Sequence, residues 1–600
     1  MRSVFVSSFR FYLVFIIVFC LFCTFLGRLA YLQVWERPNL LEIVQGNRSN
    51  FSTLQAKRGN IVDEKGNLLA TTKSVVEIGV DPQCVDPEQF DSIPKLATLL
   101  NIKESKARLA FETKTRPGTR YDNEVLPVRW TKLVDSVDEE IYQEVLELGI
   151  SGVYGTRKHS RRYPCDRLGS HVLGFVNREG VASMGVEKYM DFYLSGQDGW
   201  RESEKDGHRR ELAQYRLREI SPNNGLNVQL TLNRMIQDVV EKELATIVKQ
   251  FNPVSATILV GEPATGYLVG LGNYPDFDPN RFNEFEMGNL RNRALSDLYE
   301  PGSTFKIVAA GAALDEGIAE MEEVIDCSKA VAIHNGRELR LPGDHHPLGK
   351  LSLRKVISKS SNRGAAQLGL RLGENRLYSY CRGFGFGERS GFGIGAEHPG
   401  ILHPVRKWDS LTITRLPMGH AVGVTPMQVH CAMGAVANGG VLMKPQVVQR
   451  IYNQHGKTVA SFHPIARRRV LSRQTSTLLT GALVEVVSDQ GTAKNAAVSG
   501  FQVAGKTGTT QKLVEGRYSN EKHVASFSGF LPADRPRVVI TVVVNEPRFN
   551  GTGYGSTCAA PSFRKIAEEL VAYLGIQPEN TSKASKLDRS GNPLTMINSQ

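Results

Sequence analysis

The chain has 600 residues, 41% hydrophobic and 22% charged, a balance that excludes collagen-like, coiled-coil and wholly disordered architectures. That length allows about three or four domains and rules out a single small binding module. Lysines and arginines (73) exceed acidic residues (61) to give a formal charge of +12. No basic block with interleaved aromatics stands out, so nucleic acid is not expected as a partner.

In chain order, the first element is an uncharged stretch of 17 residues between Arg10 and Arg28, FYLVFIIVFCLFCTFLG. With its apolar flanks it can span a bilayer. No small-residue cleavage site follows, so residues 11–30 read as a retained transmembrane anchor behind a short tail at 1–10. Arg2 and Arg10 precede the span while Arg28, Arg37 and Arg48 follow it, so charge counting does not fix its orientation. The eight cysteines are scattered, without the spacing of a disulfide framework or a zinc ribbon, and buried single thiols are the default. AKRGNIVDEKGNLLA (56–70) predicts a strand, a Lys-Gly turn and a second strand, opening a β-rich domain over 31–225. The turn-forming run Ser221-Pro222-Asn223-Asn224-Gly225 ends it.

Next, Ile236, Val239, Val240, Leu244 and Ile247 share one face at helical spacing. SATILV and YLVGLG then alternate as a hairpin around Pro263-Ala264-Thr265-Gly266. Much later FQVAGKTGTT, HVASFSGFL and RVVITVVVN read as strands and SFRKIAEELVAYL as a helix. The order predicts an α+β domain over 226–575, an antiparallel sheet with segregated helices. Residues 576–600 turn polar and are expected to be a disordered tail.

Three short patterns carry chemistry. Ser303-Thr304-Phe305-Lys306 precedes IVAAGAAL, placing serine and lysine one helical turn apart, so a neutral Lys306 amine could deprotonate the Ser303 hydroxyl. S-x-x-K also occurs at Ser352/Lys355, Ser519/Lys522 and Ser562/Lys565, so alone it says little. Ser360-Ser361-Asn362 is a polar cluster at a helix start, where a capping serine is the plain explanation. Lys506-Thr507-Gly508 lies in GFQVAGKT, which satisfies the phosphate-loop pattern G-x-x-x-x-G-K-[ST]. That pattern needs a helix directly after it, yet Gly508-Thr509-Thr510 follows, so the segment is read as a strand whose Lys506, Thr507 and Thr509 suit a substrate carboxylate. Lowering Lys306 by about three units from its free value costs roughly 4 kcal/mol. Burial and a nearby Lys506 cation both push that way. Asp344-His345-His346 reads as a solvated loop, and neither a metal nor a cofactor is expected.

Taken jointly, S-x-x-K, S-x-N and K-T-G in this order, 57 and 146 residues apart, closely resemble the signature of penicillin-binding proteins and serine β-lactamases. NRALSDLYEPGSTFK, GVTPMQ with ANGG, and AGKTGTTQK look like a class B penicillin-binding protein, and Tyr299-Glu300-Pro301-Gly302 looks most like its division-type, FtsI-like members. RGNIVDEKGNLLA, Gly185-Val186-Glu187 and GQDG resemble that family's non-catalytic pedestal, a dimerisation-like domain. The resemblance implies the transpeptidase fold with an all-helical subdomain, in a single-pass inner-membrane protein whose tail is cytoplasmic and whose catalytic domain is periplasmic, at the septum. It further implies a peptidoglycan D,D-transpeptidase in which Ser303 attacks the penultimate D-alanine carbonyl and Lys306 is the base. Ser360 and Asn362 would relay protons and hold substrate, Lys506 would complete the catalytic set, and Thr507, Gly508 and Thr509 would bind substrate. The Ser303 and Thr509 N–H groups would form the oxyanion hole. Implied partners are peptidoglycan stem peptides, β-lactams, a membrane glycosyltransferase and division-complex proteins. An elongation-type transpeptidase, a carboxypeptidase or β-lactamase, and a scaffold with vestigial catalysis are the alternatives. Two positions depart from the family pattern: Glu64 where arginine is usual, which bears on a salt bridge between modules, and Arg363 where a small or aliphatic residue is commoner, which bears on the cleft.

Overall fold

The structure is a computed structural model describing residues 8–40, 42, 49–117, 125–205, 211–548 and 553–578. The expected disordered tail lies almost wholly outside the described residues, as does most of the 1–10 segment. The chain divides into two compact units, Met1–Lys57 with Gly196–Gly225, and Arg58–Ser195 with Leu226–Gln600.

In the first unit, Ser8–Ala30 forms a 23-residue α-helix that continues through a π turn, Tyr31–Trp35. At 1.5 Å per residue the α-helical part alone is about 34 Å long, enough for a hydrocarbon layer of about 30 Å. It is one helix long and apolar enough to cross a membrane, and it begins before and ends after the expected 11–30. The same unit holds a three-stranded antiparallel sheet of Ser49–Leu54, Gly199–Lys205 and Glu211–Ile220, with the Phe51 and Trp200 rings 6.0 Å apart.

In the second unit, Ile61–Val62 and Leu68–Val80 are the predicted hairpin. They continue outward to Thr131–Val137 and Val153–Arg162. On the other side Ile61–Val62 pairs in parallel with Asn227–Leu230, which pairs with Val448–Tyr452. One sheet therefore runs from the segment after the anchor into the segment expected to be catalytic. The first part also contains helices, among them Ile93–Leu99, Glu104–Glu112 and Glu139–Glu147, packed on that sheet. Glu187, fully buried, accepts from Arg58 Nε (2.6 Å), Arg161 Nε (2.7 Å) and the Tyr163 hydroxyl (3.2 Å).

The catalytic sheet is antiparallel in the order Leu268–Tyr274, Ser255–Gly261, Val538–Asn545, Arg517–Leu531, Ala504–Val514. Helix Arg234–Phe251 lies against it through Ile236, Val240, Leu244 and Ile247. The approach is close enough that a Cβ at Gly272 would sit 2.4 Å from Leu244. Helix Ala560–Tyr573 packs on the same helix and sheet. The long middle forms a helical cluster: Lys306–Asp315, Leu353–Ser358, Asn362–Leu372, Glu374–Gly383 and Arg473–Val487. Lys306–Asp315 is buried from Lys306 to Ala313, as its all-round apolar sequence requires. This is the expected α+β transpeptidase architecture. The strand carrying Lys506 starts at Ala504, so Phe501-Gln502-Val503 is not part of it, and it is the sheet's edge.

Candidate active site

The sequence brings Ser303 to the surface through a tight turn. Gly302–Phe305 is one 3₁₀ turn that feeds helix Lys306–Asp315. Gly302 takes φ +54°, its N–H bonds Gly419 O at 3.2 Å, and Thr304 Oγ1 donates to Pro301 O at 2.8 Å. Gly302 and Thr304 are buried on either side of a half-buried Ser303, and the Phe305 ring, also buried, packs 4.7 Å from that of Phe386. The turn thus anchors its neighbours and leaves the serine facing out.

Lys306 is 3% exposed. Its Nζ donates to Ser360 O (2.5 Å) and Asn362 Oδ1 (2.7 Å), with Ser360 Oγ 3.1 Å away. A neutral amine has two N–H donors and one lone pair. The two carbonyl-type acceptors take both of those donors, and the Ser360 hydroxyl can donate to the lone pair of the neutral amine or accept the third N–H of the protonated one. Burial, and then the Lys506 charge, push the Lys306 pKa well below its usual value, while Asp344 and Cys327 pull it back. Ser360 sits at φ +60°, a left-handed conformation that costs a non-glycine residue energy. Ser361 caps helix Asn362–Leu372, its Oγ accepting from Gly364 N at 3.0 Å.

The third pattern reaches the same cleft from the edge strand. A Cβ at Gly508 would lie 2.7 Å from Pro301 O and 3.1 Å from Thr304 Cγ2, so the strand runs directly against the serine turn. Thr510 Oγ1 donates to Glu300 O at 2.6 Å, and Thr509 Oγ1 accepts from Gly555 N at 2.9 Å. Lys506 is fully buried, and burial lowers its pKa to about 7. Burial and the Lys506 charge both lower Lys306, as the sequence reading expects, with burial the larger of the two. Because Ala504–Val514 remains a strand through and beyond Gly505-Lys506-Thr507, the phosphate-loop geometry is absent from this segment.

The other S-x-x-K matches have plain explanations. Ser352 caps a helix and Lys355 pairs with Glu485. Ser519 Oγ accepts from Lys522 N, and Lys565 faces Glu243 at 3.7 Å. Of the two departures, Glu64 accepts from Asn233 Nδ2 at 2.6 Å, a polar contact to the helix start in place of an ion pair. Arg363 reaches Ser328 O at 2.8 Å. All eight cysteines are free, and only Cys327, Cys381 and Cys558 are buried, so buried thiols are not the rule.

Sequence reasoning missed two polar residues. Glu300 accepts from His420 Nδ1 (2.9 Å), Ala421 N (3.0 Å) and the Tyr518 hydroxyl (3.1 Å) beside the serine turn. Asp344 turns inward while His345 and His346 stay exposed as expected. It accepts from Ser361 Oγ at 2.9 Å and from the N–H of Asn362.

Residues 256–568 match the family model of the penicillin binding protein transpeptidase domain, and residues 53–230 that of the penicillin-binding protein dimerisation domain. The chain is 32% identical to stage V sporulation protein D of Bacillus subtilis, covering 95% of this chain and 86% of that one. It is 27% identical to peptidoglycan D,D-transpeptidase FtsI of Escherichia coli, covering 94% and 91%. Among solved structures, penicillin binding protein 3 from Mycobacterium tuberculosis in complex with aztreonam matches with a TM-score of 0.65 at 25% identity, over 88% of this chain and 98% of that one. The chain belongs to the class B penicillin-binding proteins of the FtsI-like kind, serine-type transpeptidases that join a dimerisation module to a transpeptidase domain.

Proposed function

We propose that this protein is a membrane-anchored peptidoglycan D,D-transpeptidase that cross-links stem peptides during septal wall synthesis through an acyl-enzyme on Ser303. The observation that carries the reading is the buried Lys306 amine, one turn after Ser303, held between Ser360 O and Asn362 Oδ1. Lys306 takes the Ser303 proton as Oγ attacks the penultimate D-alanine carbonyl. The backbone N–H groups of Ser303 and Thr509 receive the oxyanion. Lys506, in its protonated form, and Thr507 hold the terminal carboxylate, with Gly508 giving the strand its close approach. Collapse breaks the peptide C–N bond, and the departing D-alanine nitrogen takes its proton back through Lys306 and Ser360. An amine of a neighbouring stem peptide then attacks the ester, loses its proton to the same relay and frees Ser303. A β-lactam follows the first half of this course, but its opened ring stays attached, so the adduct persists. The M. tuberculosis relative's complex with aztreonam supports that step.

The septal setting is supported by the similarity to FtsI, and the apolar Ser8–Trp35 helix supports a single-pass anchor. In this reading residues 1–10 are cytoplasmic, 31–225 the pedestal and 226–575 the catalytic domain, which lies outside the membrane. In the same reading the glycan strands come from a separate membrane glycosyltransferase in the division complex. The test is product analysis on nascent glycan strands. Cross-linked dimers with one D-alanine released per bond are expected. Trimmed, uncross-linked stems, or penicilloate released with rapid turnover, would replace this function with a hydrolase.

A further inference from the structure

The geometry points to Asp344 as a positioning residue of the transpeptidation site: its carboxylate holds the Ser360-Ser361-Asn362 turn so that Ser360 and Asn362 face Lys306. Resting on the acyl-enzyme reading above, the inference adds a residue outside the three motifs. Both carboxylate oxygens are engaged. Oδ2 accepts from Ser361 Oγ at 2.9 Å, and Oδ1 accepts from the N–H groups of Asn362 and of Arg363, the latter at 3.3 Å. These are the cap and the first two residues of the 11-residue helix Asn362–Leu372, whose N-terminal N–H groups have no intrahelical partner and favour an anion.

The residue before it completes the orientation. Gly343 O accepts from Asn362 Nδ2 at 2.8 Å, which leaves Oδ1 of the same amide aimed at Lys306 Nζ. One short segment, Gly343-Asp344, thereby fixes both the backbone and the side chain of Asn362. The need for such a brace is visible at Ser360, whose φ of +60° persists only where surroundings over-determine it. Asp344 touches none of the reacting groups directly, so its action runs through Ser361 and Asn362. Its charge adds a second effect. The charged and titratable groups acting on Lys306 are Lys506 from the edge strand, Asp344 from the loop and the Cys327 thiol, with Asp344 opposing the other amine.

The test compares full-length wild type, Asp344→Asn and Asp344→Glu for the second-order rate of acylation by fluorescent penicillin across pH, with thermal unfolding measured in parallel. Asp344→Asn can still accept from the Asn362 N–H and can donate to Ser361 Oγ, but it loses the charge and reverses the Ser361 bond. We expect a cooperative unfolding transition, acylation slower by roughly 10- to 100-fold, and a rising pH limb shifted to lower pH, because an anion that favours protonated Lys306 is gone. Asp344→Glu keeps the charge with the wrong reach, so it should be slow with its limb at the wild-type position. Wild-type acylation by Asp344→Asn overturns the positioning role, and slow acylation by Asp344→Asn with an unshifted limb overturns the action of the Asp344 charge on Lys306. A wild-type protein that never labels at Ser303 overturns the acyl-enzyme reading and this inference together, whereas a labelled wild type with an unaffected variant overturns only the inference.

Discussion

Gly508→Ala probes how tightly the edge strand is held against the nucleophile turn. An added Cβ would lie 2.4 Å from Ser526 Oγ and 2.7 Å from Pro301 O. The serine side chain can rotate away, but the Pro301 carbonyl belongs to the turn that presents Ser303. Reaching ordinary contact at 3.4 Å requires strand and turn to part by about 0.7 Å. A displacement approaching 1 Å costs on the order of 10²-fold in a positioned reaction, so acylation should slow by roughly 10- to 100-fold. Overpacking should also cost about 1–3 kcal/mol of stability. The assay is the second-order rate of fluorescent penicillin labelling beside urea denaturation. A Gly508→Ala protein that labels within about twofold of wild type would refute the close approach of Gly508 and Pro301.

Lys506 predicts a pH dependence of stability. Its pKa falls on folding from 10.5 to about 7, so between those values the unfolded chain holds a proton that the native protein lacks, and stability rises with pH by up to about 1.4 kcal/mol per unit. Relative to Lys506→Met, the wild type should gain about 2 kcal/mol between pH 7 and pH 9 in urea denaturation, and parallel curves would contradict the buried amine. Glu187→Ala should destabilise by about 3–5 kcal/mol, because it strips Arg161 and Arg58 of a buried counter-charge; the denaturation midpoint reports it. Asn233→Ala removes the cap on Met235 and Ile236 N–H and the contact to Glu64. It should cost about 2 kcal/mol by the same measurement.

Much of the catalytic half was legible because its signals are local. The helix at Arg234–Phe251 follows from the spacing of Ile236, Val240, Leu244 and Ile247, and the strand reading of Lys506-Thr507-Gly508 from what does not follow it. The mutual placement of Ser303, Ser360 and Lys506 was readable only because three individually weak patterns occur together in order. What escaped is long-range. The parallel pairing of Ile61–Val62 with Asn227–Leu230 joins segments about 165 residues apart, and no periodicity encodes a partner. Asp344 was passed over because a carboxylate beside two histidines in a Pro/Gly-containing loop has the composition of a solvated turn. Its role depends on the loop folding back onto Ser361 and Asn362. The extent of Lys506 burial was likewise unreadable, since a lysine in a strand is ordinarily an exposed one.

The most direct measurement is peptide mapping of the full-length protein after reaction with fluorescent penicillin, alongside Ser303→Ala and Lys306→Met. The adduct should fall on the peptide containing Ser303, vanish in Ser303→Ala and form far more slowly in Lys306→Met. Label on any other residue, or unchanged labelling without the Lys306 amine, would contradict the account.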